Sequence, residues 1–293
     1  MKSDGNRLDL RIAVAENGRA LDLLAAASGL ARMRLKDAML KGAVRLFPAR
    51  GKSRRLRRAT AEVRAGDALR LCYDEKILAA PVPPPVCLED HHSFSLWFKP
   101  AGLLTQPTDF GDFCSLLRQV ELYFKSHRKV FPVHRLDREV SGLILVAHDP
   151  KEAARLSRVF AGRLVAKSYL AGVGGRIEKD EPLLLDAIID GKSARTSCRG
   201  LAYDTVHNES LVLVRPATGR LHQIRRHLAG YGTPIIGDPR YGGASRGTMR
   251  LCAVRLVLSA VGEKKELDLR LPLQYLPEWA GAGVEFIERL ILL

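Results

Sequence analysis

The sequence predicts an α+β fold in two parts, on three observations. From about residue 93 to 293, short apolar strands outnumber helical patterns. Residues 1–78 combine two helical patterns and two alternating strands in a strongly basic segment. A proline-rich stretch, residues 79–92, stands between them. Many strands with few helices point to a mixed, largely antiparallel sheet, and the front segment to a small α+β domain of its own. With 293 residues, 46% hydrophobic and 27% charged, the chain can bury a real core.

In the front part, ALDLLAAAS and RMRLKDAMLK place apolar residues at three- and four-residue spacings, as helices do. Gly29 and Gly42 follow them as stop signals. AVRLF then alternates as a strand, and GDALRLCYD alternates again after a Gly66-Asp67 turn. Between these strands Arg45, Arg50, Lys52, Arg54, Arg55, Arg57 and Arg58 occur with no acidic residue from 45 to 58. Such a run repels itself unless an anion joins it, which points to a polyanion such as RNA. Residues 79–92, AAPVPPPVCLEDHH, read as an extended linker.

The second part begins with the strand SLWF and the turn FKPAGLLTQP. LILVA, residues 143–147, is short, continuous and aliphatic, a buried strand. KEAARLSRVFAGRL is a helix opened by Asp149-Pro150. SYLAGV and LVLVR follow as strands. LHQIRRHLAGYG is a second helix ending at Gly230, with Leu221, Ile224 and Leu228 as its apolar stripe. MRLCAVRLVL and ELDLRL complete the strand list.

The net charge of +15 is the strongest compositional signal, and residues 1–78 hold +9 of it, with 18 Lys and Arg against 9 Asp and Glu. An excess of that size favours polyanionic partners. No run of eighteen apolar residues occurs, so no membrane span is expected, and MKSDGNRLDLRI does not read as a signal peptide. A cytoplasmic location and a monomer are the expectations. The five cysteines are scattered and form no C-x-x-C pair, so no metal site is expected.

Chemistry concentrates in four segments. FPVHRLDREVSG sets His134, Arg135, Asp137, Arg138 and Glu139 on a loop running straight into the LILVA strand. A rigid loop that presents a carboxylate among cations is a place for catalysis. FKPAG contributes Lys99, and KSYLAGV places Tyr169 and Ala171 on one strand face. RPATGRLHQIRRHLAGYGTPIIGDPRYGG carries Arg220, His222, Gln223, Arg225, Arg226 and His227. Its glycines 230, 232, 237, 242 and 243 mark tight turns.

In this order and spacing, FKPAG, HRLDREVSG, KSYLAGV and TGRLHQIRRHL with GTPIIGDPRYG resemble the RluA-type RNA pseudouridine synthases. The front segment resembles the small RNA-binding domain named after ribosomal protein S-four, which several members of that family carry. The resemblance implies a pseudouridine synthase fold and an isomerase that turns uridine into pseudouridine in RNA, with no cofactor. It implies Asp137 as the catalytic carboxylate, Arg225 as its guanidinium partner and Tyr169 stacked beneath the base. A carboxylate nucleophile must stay ionised, and a neighbouring guanidinium favours that form. Arg135 would fill the space left by a flipped uridine. Lys99, His134, Arg220, His222 and Gln223 are expected around the substrate. Large-subunit ribosomal RNA is the expected target, with transfer RNA second and a non-catalytic RNA-binding or ribosome-assembly role third. Phe98, Gln106, Val140 and Cys252 depart from residues usual in the family and bear on the rim of the site.

Overall fold

The computed structural model describes residues 7–178, 181–243, 247–259 and 266–283. They form two compact units, one running up to Val82 together with Gln106–Lys125, the other Pro83–Thr105 with Ser126 onward. In the first unit, β1 (Arg7–Ala13), β2 (Gly18–Arg19), α1 (Ala20–Ser28), α2 (Arg32–Leu40), β3 (Val44–Phe47), β4 (Arg54–Arg55), β5 (Glu62–Val63), β6 (Ala68–Asp74) and α3 (Glu75–Ala79) are joined by α4 (Leu116–Tyr123). Its main sheet has the antiparallel order β1-β6-β3-β4. Leu24, Leu35, Met39, Val44, Leu69 and Leu71 are fully buried in its core. Both helices stop where glycine was expected to end them. Gly29 is the left-handed cap of α1 and donates to Ala25, and Gly42 follows the last turn of α2 at φ 79°.

The second unit contains β7 (Val86–Asp90), β8 (Phe94–Lys99), β9 (Phe131–Pro132), β10 (Ser141–Ala147), α5 (Pro150–Ala161), β11 (Val165–Gly174), β12 (Leu183–Ile189), β13 (Lys192–Asp204), β14 (Glu209–Pro216), α6 (Gln223–Gly230), β15 (Leu251–Leu258) and β16 (Leu267–Arg270). The sheet order is β12-β13-β14-β11-β15-β10-β8-β7, with β9 beside β10 and β16 beside β15. The β10–β15 pair is parallel and the other pairs are antiparallel. This is the mixed, largely antiparallel α+β sheet the sequence predicts. β10 is buried along nearly its whole length, as its unbroken aliphatic run requires. Asp149 caps α5 by accepting from Glu152 N at 2.9 Å, with Pro150 in the first turn. Among the described residues no helix is long and apolar enough to cross a membrane.

The division differs from residues 1–78, 79–92 and 93–293, the last position of which lies outside the described residues. The first unit continues to Val82, and Gln106–Lys125 packs with it. Val86–Asp90, read as linker, is an edge strand on β8. An extended proline-rich segment and an edge strand share one backbone conformation, and pairing cannot be read from composition. RLDLRIA and LLLDAII, which were not among the strands read from the sequence, are β1 and β12.

The basic run also needs correction. Arg55 and Arg57 were read as RNA-binding because no acid lies near them in sequence. Asp112, brought in by the 106–125 segment, accepts from both: Arg55 Nε lies at 3.2 Å and Arg57 Nη1 at 3.0 Å. Arg57 Nη2 makes a second, very close contact to Asp112. Arg55 also donates to the carbonyls of Gly42 and Thr108. These two guanidiniums are spent internally. Arg45 is half-buried with Nη1 on Ser53 Oγ at 3.4 Å, whereas Arg50, Lys52, Arg54 and Arg58 are exposed.

Candidate active site

The segment Val133–Val140 forms an irregular loop that turns at residues 137–140 and enters β10. Gly142 sits at φ 113°, and a Cβ there would collide with the Ala253 carbonyl of neighbouring β15. Only glycine lets the loop enter the sheet at this point. The Lys99–Thr105 turn grips the loop from behind. Thr105 Oγ1 donates to Leu136 O at 2.7 Å and accepts from Leu136 N at 3.1 Å. Gly102 N donates to Arg138 O at 2.8 Å.

Lys99, expected at the substrate, is fully buried in this clamp. Its Nζ donates to the carbonyls of Leu103 (2.7 Å), Pro100 (3.1 Å) and Arg138 (3.3 Å). It holds the loop and presents nothing to a ligand. Burial pushes its ammonium down to about 7, against the opposing pull of Glu139 and Asp137. The folded chain therefore releases this proton near pH 7, whereas the unfolded chain holds it to 10.5. Between those values the unfolded state binds more protons, so stability is expected to rise with pH, by up to about 1.4 kcal/mol per pH unit. Urea unfolding across that window should show the slope in the wild type and not in Lys99→Met; parallel slopes would contradict it.

α6 supplies the cation. It begins two residues later than expected, because His222 takes a left-handed conformation at φ 52°. Leu221 therefore lies outside the helix and is exposed, leaving Ile224 and Leu228 as the buried stripe. Arg225 is almost wholly buried, and its principal partner is Asp238 rather than Asp137. Nε and Nη2 meet the two Asp238 oxygens at 2.7 and 2.8 Å, while Nη1 faces Asp137 Oδ2 at 3.4 Å and Glu139 Oε2 at 3.6 Å. Asp238 also accepts from the backbone of Arg240 and Tyr241. Its turn depends on Gly237 at φ 75°, where a Cβ would meet Thr248 O at 2.5 Å. Burial lowers the Arg225 affinity for its proton, and the bonded Asp238 more than restores it, so Arg225 lies above its ordinary value. Burial raises Asp238, and the hydrogen bonds from Arg225 outweigh that and hold it below 3.8.

His222 completes the wall, with Nε2 3.6 Å from Asp137 Oδ2 and Nδ1 3.1 Å from the Tyr241 hydroxyl. Burial lowers its pKa, with Asp137 opposing. Tyr169 stands on β11 opposite Val214 of β14. Burial, reinforced by the Asp137 charge, pushes its phenol above 10. The β11–β15 register shifts between Ser168 and Tyr169, leaving Val254 of β15 without a partner on β11. Two residues earlier on the same face, Lys167 is pulled below its ordinary value by burial.

Asp137, Tyr169, Arg225, His222, Arg135, Arg220 and Lys167 line one open cavity of about 580 Å³. Arg135 is exposed at it, and Arg220 is half-buried with Nε on Ser193 O at 3.2 Å. Two further expectations change. His134 lines the cavity, but its ring stacks on Phe160 at 4.3 Å and Nε2 accepts from Leu145 N at 3.0 Å. Burial, with Lys167 adding to it, pushes it down to about 3, so it is a neutral acceptor anchoring the loop to β10. Gln223 is buried, with its oxygen on Thr218 Oγ1 and Arg220 N, and its nitrogen on Arg195 O and Thr196 Oγ1. Its amide ties the start of α6 to β13 and has little left for a substrate.

Asp238, Tyr241 and Lys167 were given no role from sequence. Asp238 was signalled by an acid following a glycine turn, and Lys167 by its period-two offset from Tyr169. A cavity of this size accepts a planar base with its sugar. One carboxylate faces a guanidinium inside it, an arrangement suited to covalent catalysis at a ring or an anomeric carbon. Among the described residues no group of three or more His, Cys, Asp or Glu is placed to hold a metal ion.

The family model "RNA pseudouridylate synthase" matches residues 93–230. An uncharacterised RNA pseudouridine synthase of Zymomonas mobilis is 36% identical over 192 residues, spanning 60% of this chain and 87% of that protein. The tRNA pseudouridine synthase C of Haemophilus ducreyi is 37% identical over 49% of this chain and 68% of its own length. The ribosomal large subunit pseudouridine synthase D of Nitrosomonas europaea is 35% identical over 59% of this chain and 54% of its own. Among solved structures, human RNA pseudouridylate synthase domain containing 1 shares the fold, with a TM-score of 0.60 over 72% of this chain and 96% of that one, at 22% identity. With the loop, cavity and sheet above, these matches establish that the chain belongs to the RNA pseudouridine synthases, the isomerases that convert uridine to pseudouridine within RNA.

Proposed function

We propose that this enzyme modifies large-subunit ribosomal RNA and that Asp137 is its nucleophile. The observation that carries the role of Asp137 is its carboxylate in the wall of a nucleoside-sized cavity, 3.4 Å from the Arg225 guanidinium. Breaking the bond between uracil N1 and ribose carbon 1 and forming one from carbon 5 gives an isomer, so no group is gained or lost. Asp137 attacks the base or the ribose, the uracil turns, and the proton on carbon 5 must leave. Tyr169 is the acceptor offered by the cavity. Held above its ordinary pKa, it arrives as the phenol. It therefore takes that proton only while passing its own on, by way of Asp137 once that carboxylate is released from the substrate. The proton ends on N1, which has lost its bond to the ribose and carries a hydrogen in the product. Arg135, exposed at the same cavity, is suited to enter the stack left by the flipped uridine.

The ribosomal target is supported by the N. europaea relative and by the basic front unit, read as an S-four-like RNA-binding domain. The H. ducreyi relative supports a transfer-RNA target as the second reading. Deleting the gene and mapping pseudouridines in both RNA classes separates the two. A site vanishing from transfer RNA alone would overturn the ribosomal assignment.

Exposure divides the basic run into two groups with different expected behaviour. Replacing Arg50, Lys52, Arg54 and Arg58 by Gln should weaken RNA binding and flatten the salt dependence by about 0.7 unit per lost contact to single-stranded RNA. Arg55→Ala should instead destabilise the first unit, because it frees one side of the Asp112 pair. Binding isotherms at several salt concentrations, beside thermal melts, test both. An unchanged slope in the quadruple variant would remove these four residues from the RNA interface.

A further inference from the structure

A second concavity opens beside the active-site cavity and shares Lys167 and Pro216 with it. It is an open groove of about 640 Å³ that runs over Arg163–Ser168, Arg215–Ala217 and the outer part of β15. Arg163 and Arg215 are exposed there. Arg163 is held at φ 59° just past the end of α5, with its N–H on Phe160 O at 3.2 Å, and the next residue's carbonyl accepts from Ser259 N. Its position is thus set by a tied turn rather than by a free loop. Arg255 also lines the groove but is engaged with Asp268 through Nε and Nη2 at 2.8 and 2.9 Å. Leu164 is exposed along the same floor.

The three cations Lys167, Arg163 and Arg215 therefore mark a path leaving the site, with Leu164, Pro216 and Val257 among them. We propose that this groove carries the single strand of RNA continuing from the flipped uridine, with Arg163 and Arg215 on its phosphates and Lys167 at the crossing of cavity and groove. A polynucleotide fits better than an acidic peptide because the groove begins where the reacting nucleotide must sit. The strand on one side of that nucleotide has to leave the cavity. Spaced cations that track the backbone grip a single strand without regard to its sequence. The inference rests on the pseudouridine synthase reading and adds a direction of exit to it.

The test uses the full chain and a short fluorescein-labelled oligouridylate, with 4-thiouridine as a crosslinking base in a second copy of the probe. Arg163→Gln with Arg215→Gln should raise the Kd several-fold and flatten the salt slope by about 1.4, two contacts at about 0.7 each. The corresponding Lys pair should restore the slope, because it returns charge without restoring guanidinium geometry. Crosslinks should fall within residues 163–168 or 215–217. An unchanged Kd and slope, with crosslinks elsewhere, would overturn the groove while wild-type tritium release from carbon-5-labelled uridine still upheld the enzyme reading. Absence of that release from ribosomal and transfer RNA alike would sink both.

Discussion

Asp137→Asn is expected to abolish pseudouridine formation while fold and RNA affinity persist. The carboxamide has the shape of the carboxylate and lacks its nucleophilic oxygen, so the loss should be on the order of 10⁴-fold or more, the scale found when a nucleophile is removed. The fold should tolerate the change because Arg225 keeps both hydrogen bonds to Asp238 at 2.7 and 2.8 Å. The loop keeps its hold from Thr105 and Lys99 on Leu136 and Arg138. Release of tritium from uridine labelled at carbon 5, under multiple turnover, reports the chemistry, and thermal melts report the fold. A well-folded variant that still turned over would remove Asp137 from its assigned role.

Arg225→Ala should strike stability and activity together. Asp238 has no exposed side-chain surface, and deleting its partner leaves a buried carboxylate with only backbone donors. Breaking such a pair costs about 3–5 kcal/mol. The pH dependence has a definite sign. Asp238 is held below 3.8 in the native protein, so its contribution is present above that value and is lost as pH falls through the folded pKa. In the variant the penalty fades as Asp238 protonates. The stability gap between wild type and variant should therefore narrow in acid, which urea unfolding at several pH values reads directly. Arg225→Lys should recover part of the loss, since a lysine has the charge without the fork that meets both Asp238 oxygens. Arg226 provides the contrast. It is half-exposed and paired with Asp190 at 2.9 Å, so Arg226→Ala should stay within about 1 kcal/mol and leave single-turnover rates on saturating RNA little changed. Equal loss of single-turnover rate in the two alanine variants would show that the buried fork has no special part.

Much of this protein follows from local pattern. The aliphatic run of β10, the Asp149-Pro150 opening of α5, the glycine stops after α1 and α2 and the strand-rich second part are all periodicity, capping or composition. Those signals act within a few residues, so one sequence is enough to read them. The motif segments likewise carried the family, and Asp137, Tyr169 and Arg225 do line one cavity.

What the sequence alone could not decide is which partner each charged group meets. Arg225 does face Asp137 as expected, but its main grip is on Asp238, thirteen residues on, which arrives by a glycine turn whose direction only the fold sets. Arg55 and Arg57 looked unpaired because Asp112 is more than fifty residues away and joins them through packing. Lys99, His134 and Gln223 belong to the motifs, yet burial turned their polar atoms inward to carbonyls, an N–H and hydroxyls of the scaffold. The physical reason is common to all six residues. Burial forces a polar group to find a partner, and the partner is whichever group the tertiary fold brings within hydrogen-bond distance, however remote along the chain.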